Sequence, residues 1–273
     1  METIVDATNK GILRADAGMR RFSLTRYAPS ADLAFFVKHY WVVRWDLRGQ
    51  EPYRQVNLSF PNVNLSFERE TSGTYSGVYG IPSASSSRLL QGEGTVLGVK
   101  FQPGGFYPYR KQPISQLTDT RIGFREAFGI EPDTLEKQIC ALDDGEQMAQ
   151  VTDRFLRSRL PDRDPNVELA TRIVQTVIDD RELVKVDDLA RQFGLHVRTL
   201  QRLFHRYVGV SPKWVIQRFR LQEAAERMEQ GDIPDWAKLT QDLGFYDQAH
   251  FIKCFKAMIG RSPEAYIEDV RQS

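Results

Sequence analysis

The chain is poor in cysteine, in long apolar runs and in net charge, and each shortage excludes something. Its two cysteines, Cys140 and Cys254, lie far apart and form neither a redox pair nor metal-ligand spacing. A reducing cytoplasm is therefore the expected setting, with no disulfide between them. No stretch approaches the roughly 20 apolar residues needed to cross a bilayer, and the first 21 residues carry no continuous apolar core for a signal peptide. His39, His196, His205 and His250 share no ligand spacing. Nucleotide-binding glycine loops and the G-x-S-x-G nucleophile turn are missing too. No catalytic residue, metal or cofactor is expected. A net charge of +1 gives no global signature for nucleic acid.

What the chain does have is an internal duplication. Leu189–Pro212 reads LARQFGLHVRTLQRLFHRYVGVSP and Leu239–Pro263 reads LTQDLGFYDQAHFIKCFKAMIGRSP. Gly194 answers to Gly244 at an offset of 50, while Phe204, Gly209, Ser211 and Pro212 answer to Phe255, Gly260, Ser262 and Pro263 at 51. Each copy reads as a short apolar helix, a glycine turn and a second helix, the helix-turn-helix pattern. Each is followed by Ser-Pro, a capping serine with proline in the first turn, where its missing N–H costs nothing. The first Ser-Pro opens a long helix to about Gln230, closed by Gly231.

The first 100 residues are β-rich. Strands are expected over 36–46, 56–60, 63–67, 74–80, 88–91 and 96–102, as an antiparallel sandwich or partly open barrel. Helical periodicity begins after Gly105, with helices near 123–128, 132–141 and 146–160. Pro161-Asp-Arg-Asp-Pro165 cannot continue a helix and suits a linker. The fold class is α+β: a β-rich domain with trailing helices over 1–160, a linker at 161–165, and an all-α domain of two helix-turn-helix units over 166–273.

Charge is distributed to match. Arg191, Arg198, Arg202, Arg206, Lys213, Arg218 and Arg220 fall in one stretch without an Asp or Glu, as a local phosphate footprint requires. With Leu200, Leu203, Phe204 and Tyr207 inward, the helix from His196 turns Arg198, Thr199, Gln201 and Arg202 outward. Arginine can donate twice to guanine and glutamine matches adenine, so these four are the expected base readers. In the second copy Phe251, Cys254, Phe255 and Met258 point inward, leaving Gln248, Ala249, His250 and Lys253 to face bases. His205, Arg206, Lys213, Arg218 and Lys256 are assigned to phosphates. Asp247 is a good N-cap for the second helix; His196, its counterpart, is a poorer one.

The string GFYDQAHFIKCFKAMIGRSPEAY resembles the second helix-turn-helix of the AraC/XylS family of bacterial transcriptional regulators, through Gly244-Phe245, Asp247, Phe251, Phe255 and Gly260-x-Ser262-Pro263. The first copy matches through Leu189-Ala190, Gly194, Leu200, Phe204, Gly209 and Ser211-Pro212. His196 and Thr240 depart from the usual small residues. The resemblance spans about 167–270 and implies two units on one long helix reading adjacent major-groove segments. That helix, about 19 residues, spans roughly 28 Å, against roughly 34 Å per turn of duplex. Double-stranded DNA is the implied partner, with a second copy of the chain and RNA polymerase as further expected partners.

Upstream, Val99-x-Phe101-x-Pro103-Gly104-Gly105 and Leu117-Thr118-Asp119 resemble an uncharacterised N-terminal domain of some members. That upstream resemblance names no ligand; an AraC-like domain preceded by a β-rich domain implies a sensor for a small-molecule effector, with Tyr40, Trp41, Trp45, Tyr79, Arg88 and Phe101 as pocket candidates and core packing as the competing role for the aromatics. Arg88 and Lys100 can meet an anion, although surface duty is the plainer expectation. A constitutive regulator whose N-terminal half only dimerises, and an unrecognised activity in that half, remain as alternatives.

Overall fold

Residues 37–47, 64–70 and 92–101 alternate in character, and they form the centre of an antiparallel sheet. The computed structural model describes residues 1–3, 11, 18–58, 60–231 and 235–271; most of the stretch read for a signal peptide lies outside them. Strands β1 (Ser23–Tyr27), β2 (Val37–Leu47), β4 (Asn64–Glu70), β5 (Gly73–Tyr79), β7 (Gly92–Phe101) and β8 (Arg121–Gly123) make one six-stranded sheet in the order β1-β2-β7-β4-β5-β8. The hairpin of β3 (Tyr53–Asn57) with β6 (Ser86–Leu90) forms a second, two-stranded sheet. The expected strand over 56–60 stops at Asn57, and Leu58 leaves the sheet to join the apolar core of the second helix-turn-helix.

Side chains alternate across the large sheet. One face carries Tyr40, Val42, Leu65, Phe67, Leu97, Val99 and Phe101, all essentially excluded from solvent. Helices α2 (Phe124–Phe128), α3 (Asp133–Cys140) and α4 (Gly145–Arg157) pack on this sheet. They follow α1 (Tyr107–Arg110) and a 3-10 turn at Ile114–Leu117. The opposite face holds Trp41, Val43 and Trp45, which join a smaller apolar cluster with Phe22 and Leu90.

The break after α4 falls at the expected prolines. Asp164 caps α5 (Pro165–Asp179), accepting from Asn166 N at 2.9 Å and from the Tyr207 hydroxyl at 2.6 Å. From there the chain is helical among the described residues: α6 (Val186–Gln192), α7 (Val197–Leu203) running into a π-turn at Phe204–Val208, α8 (Pro212–Glu229), α9 (Trp236–Asp242), α10 (Gln248–Ile259) and α11 (Pro263–Arg271). The apolar core does not break with the secondary structure. One cluster runs from Leu33 and Phe67 through Ile114 to Leu200, Phe204 and Phe219.

Candidate nucleic-acid interface

The two copies fold as the duplicated sequence demands. The first unit pairs α6 with α7, the second α9 with α10. Leu200, Phe204, Phe251 and Phe255 are fully buried, with Leu203, Tyr207 and Met258 nearly so. Asp247 caps α10 by accepting from His250 N at 2.7 Å, whereas His196 makes no side-chain cap for α7. The Ser-Pro starts behave alike: Ser211 Oγ accepts from Trp214 N at 3.1 Å and Ser262 Oγ from Ala265 N at 3.2 Å. Thr240, one of the departures, is buried with its hydroxyl donating to Trp236 O at 2.6 Å. Gly209 and Gly260 close the second helices of the two units at φ of 99° and 88°, a left-handed turn that disfavours any residue with a Cβ.

Burial of the inner stripes turns the other faces to solvent. Arg198, Thr199, Gln201 and Arg202 are exposed together on α7, and Gln248, Ala249 and Lys253 on α10, with His250 half-buried. Lys213 and Lys256 are exposed as well. Among the described residues none of Arg198, Arg202, Lys213, Lys253 and Lys256 forms an ion pair. A free guanidinium facing water loses little when it exchanges that water for a base edge or phosphate. Tyr246, passed over in the sequence reading, stands 92% exposed immediately before Asp247.

One phosphate assignment changes. Arg218 is 1% exposed and lies inside, donating to Leu58 O at 3.0 Å, so it cannot meet a phosphate. The reason is α8 itself: 12 of its 18 residues are buried, charged ones included. Arg220 is likewise buried, paired to Glu223 at 3.0 Å and bonded to Val177 O at 2.8 Å. The basic stretch is therefore not one surface. His205 and Arg206 remain exposed but are engaged by the N-terminal half. Ser115 Oγ lies 3.0 Å from His205 Nε2, and Arg206 Nε donates to the Tyr107 hydroxyl at 2.5 Å, with its guanidinium 4.9 Å from that ring. The Tyr107 bond, the first of its causes, raises the Arg206 pKa.

Two further bonds tie N-terminal loops to the ends of the second helix of each unit. Thr118 Oγ1 donates to Gly209 O at 2.7 Å, and Ser85 N to Met258 O at 2.6 Å. Trp214 Nε1 donates to Ser83 O at 2.9 Å.

The six pocket candidates do not share a cavity. Tyr40 and Phe101 lie on the helix-covered face, with the Tyr40 hydroxyl donating to Asp153 at 3.0 Å. Trp41, Trp45, Tyr79 and Arg88 belong to the other side. There Arg88 pairs with Glu68 at 2.7 Å and with Glu70, and stacks 5.6 Å from Trp45. The Tyr79 hydroxyl donates to Glu68 at 2.9 Å. Burial raises the Glu68 pKa, but Arg88, Ser66 and Tyr79 together outweigh it and hold it below the usual value. Trp41 lies across Gly98, where a Cβ would sit about 2.0 Å from its ring. These groups are packed and satisfied.

A tandem of helix-turn-helix units on a shared helix, behind an antiparallel β-domain, is the class this geometry defines. Residues 189–269 match the family model of a helix-turn-helix domain, and residues 25–123 match a domain of unknown function (DUF6597). The chain is 33% identical over 84 residues to the HTH-type transcriptional activator RhaS of Pectobacterium atrosepticum, covering 31% of this chain and 30% of that protein. It is 22% identical over 128 residues to the Msm operon regulatory protein of Streptococcus mutans, 46% of each chain. These matches span less than half the length of the curated relatives. Among solved structures, an AraC-type regulator from Chromobacterium violaceum aligns with 37% of this chain and 91% of its own, at 24% identity and a TM-score of 0.34. ToxT of Vibrio cholerae aligns with 84% of this chain and 97% of its own, at 12% identity and a TM-score of 0.39. Residues 189–269 are thus a helix-turn-helix domain, similar to those of bacterial transcriptional activators.

Proposed function

We propose that the protein is a sequence-specific DNA-binding transcriptional regulator of the AraC type. Its two reading helices enter adjacent major-groove segments of one duplex, and a small molecule acting on the N-terminal half controls it. The observation that carries this reading is the pair of outward faces, Arg198/Thr199/Gln201/Arg202 and Gln248/Ala249/Lys253, presented in water without acidic partners at equivalent places in a duplicated unit. The first face is built to read, having two bidentate donors beside a glutamine. The second positions, with lysines that meet phosphates as point charges. Tyr246 joins that second face.

Control from the N-terminal half is supported by the bonds from Tyr107, Ser115, Thr118 and Ser85 to the far ends of both reading helices. A ligand that prefers one arrangement of these contacts shifts DNA affinity by that preference and no more. The functional division follows the linker: 1–160 senses or dimerises and 166–273 binds DNA. Family likeness adds a homodimer, RNA polymerase as a contact and a cytoplasmic setting to the reading.

Footprinting of the full chain on fragments of its own genome tests the proposal. Protection should fall on two segments of one duplex face about one turn apart. Protection without sequence preference at 150 mM salt would sink it.

A further inference from the structure

The two helix-turn-helix units do not share a core. Leu189, Leu200 and Phe204 belong to the apolar cluster continuous with the β-domain, while Leu239, Phe251 and Phe255 belong to a second cluster. Helix α8 serves both, giving Val215, Ile216 and Phe219 to the first and Leu221, Ala224, Ala225 and Met228 to the second. Long helices curve, so α8 by itself sets the distance between the units more firmly than the angle.

A second contact joins them, at the turns inside the units. These turns are built alike: Gly194 N donates to Arg191 O at 3.1 Å and Gly244 N to Gln241 O at 3.0 Å, and both glycines are left-handed, at φ of 64° and 72°. Their surroundings differ. A Cβ at Gly194 would meet nothing within 4 Å, whereas one at Gly244 would fall 2.4 Å from the Val184 Cβ and 2.9 Å from each of its methyl carbons. The missing side chain lets the backbone of the second unit close on Val184, which stands in the turn 180–185 leading into α6 of the first. That turn is held from behind. Arg220 of α8, 2% exposed, donates to Val177 O at 2.8 Å and to Asp180 O at 2.9 Å, where α5 ends. Glu223, three residues on, pairs with Arg220 at 3.0 Å, with Arg227 at 2.5 Å and with Arg181 at 3.7 Å. Within the turn Glu182 N donates to the Asp180 carboxylate at 3.0 Å and Leu183 is buried. Val184 therefore meets Gly244 from a turn whose base is clamped to the helix that carries the second unit.

We propose that the turn 180–185 is a strut: Val184 bears on Gly244 and sets the angle between the two reading helices, and through it the number of base pairs between the segments they read. This rests on the reading of the chain as a sequence-specific DNA-binding regulator and names a residue that determines its operator spacing. Val184 is a positioning residue, acting on DNA through the second unit. One base pair more or less between the segments displaces the second by about 3.4 Å and turns it by about 35° around the duplex. Two units braced at both α8 and Val184 cannot follow that turn without opening the Val184 contact.

Fluorescence anisotropy of the full chain on its footprinted operator, and on versions with one base pair inserted or removed between the protected segments, tests this. The parent should lose about tenfold on either altered spacing, the scale of one misplaced base contact. Val184→Ala should bind the native spacing within about threefold of the parent and lose no more than about threefold on the altered ones. Val184→Thr, which keeps the branched shape, should retain the parent's profile. Val184 is half-buried, so its truncation leaves both cores in place. Gly244→Ala overfills the same contact from the other side and should change the preferred spacing, where Gly194→Ala, equally left-handed but in open surroundings, does not. A parent indifferent to spacing, a parental profile in Val184→Ala or Gly244→Ala, or a loss equal at every spacing overturns the proposal. In each of those cases sequence-specific binding by the parent keeps the regulator reading, and only its absence removes that reading.

Discussion

Arg206 donates to the hydroxyl of Tyr107 across 2.5 Å, joining the last turn of the first reading helix to a helix of the β-domain. The same residue is exposed to solvent. Tyr107 is its hydrogen-bond partner here, and on the proposed reading a phosphate is the alternative one. Tyr107→Phe removes the first. Arg206 is then free to neutralise a phosphate, and the magnitude of the slope of log affinity against log salt should rise by about 0.9. Fluorescence anisotropy over a salt series measures it. An unchanged slope would mean that Arg206 never leaves the β-domain.

On the reading face, Arg198→Ala and Arg202→Ala should each cost about 1–3 kcal/mol on a specific site and relax preference at one base pair. Lys253→Ala or Lys256→Ala should weaken all sequences alike and flatten the salt slope by about 0.9. Binding to a panel of singly substituted operators separates the two behaviours. If the arginine variants lose affinity uniformly, the first helix positions and does not read.

Gly209 and Gly260 occupy equivalent left-handed turns, yet their surroundings differ. A Cβ at Gly209 would lie 2.9 Å from Ile114 Cγ2 and 3.1 Å from its carbonyl oxygen; at Gly260 the nearest atom is Ser85 Oγ at 3.8 Å. Gly260→Ala should therefore cost only the backbone term, about 1–2 kcal/mol. Gly209→Ala should cost more, because the contact with the 3-10 turn must also give. Urea unfolding of both variants decides, and a larger loss at Gly260 would contradict the tight docking of that turn.

His39 should make stability fall in acid. Burial, with Lys100, Arg26 and Lys38 nearby, lowers its pKa from 6.5 to about 3. The folded protein thus holds the ring neutral, while the unfolded chain takes up a proton near pH 6.5. The contribution is fully present above pH 6.5 and is lost progressively as pH falls toward about 3. His39→Asn should show a shallower decline over that window in urea unfolding at stepped pH. Parallel declines for variant and parent would show that the ring titrates normally.

Local signals were legible in the sequence and long-range ones were not. The caps at Asp247, Ser211 and Ser262 and the glycine turns act within four residues, so each helix of the tandem could be placed before the fold was known. β1 was missed because SLTRY is short and mostly half-buried, with no apolar alternation. The contacts of Ser85 with Met258 and Thr118 with Gly209 join residues 173 and 91 apart, and no periodicity announces them. Arg218 was misplaced because a helix buried nearly all round carries its charges inward, against the usual habit of arginine. The pocket candidates contained their own warning. Tyr40 and Trp41 are neighbours on a strand and so must face opposite sides of the sheet.

Ser85 and Thr118 grip the equivalent ends of the two reading helices from loops of one β-domain. The separation of those ends is set by that domain as much as by the helix between them. On the proposed reading the β-domain is a calliper, and the length of the loops carrying Ser85 and Thr118 is a setting on it. Lengthening either loop would change which operator spacing the protein accepts, while every base-reading side chain stayed as it is.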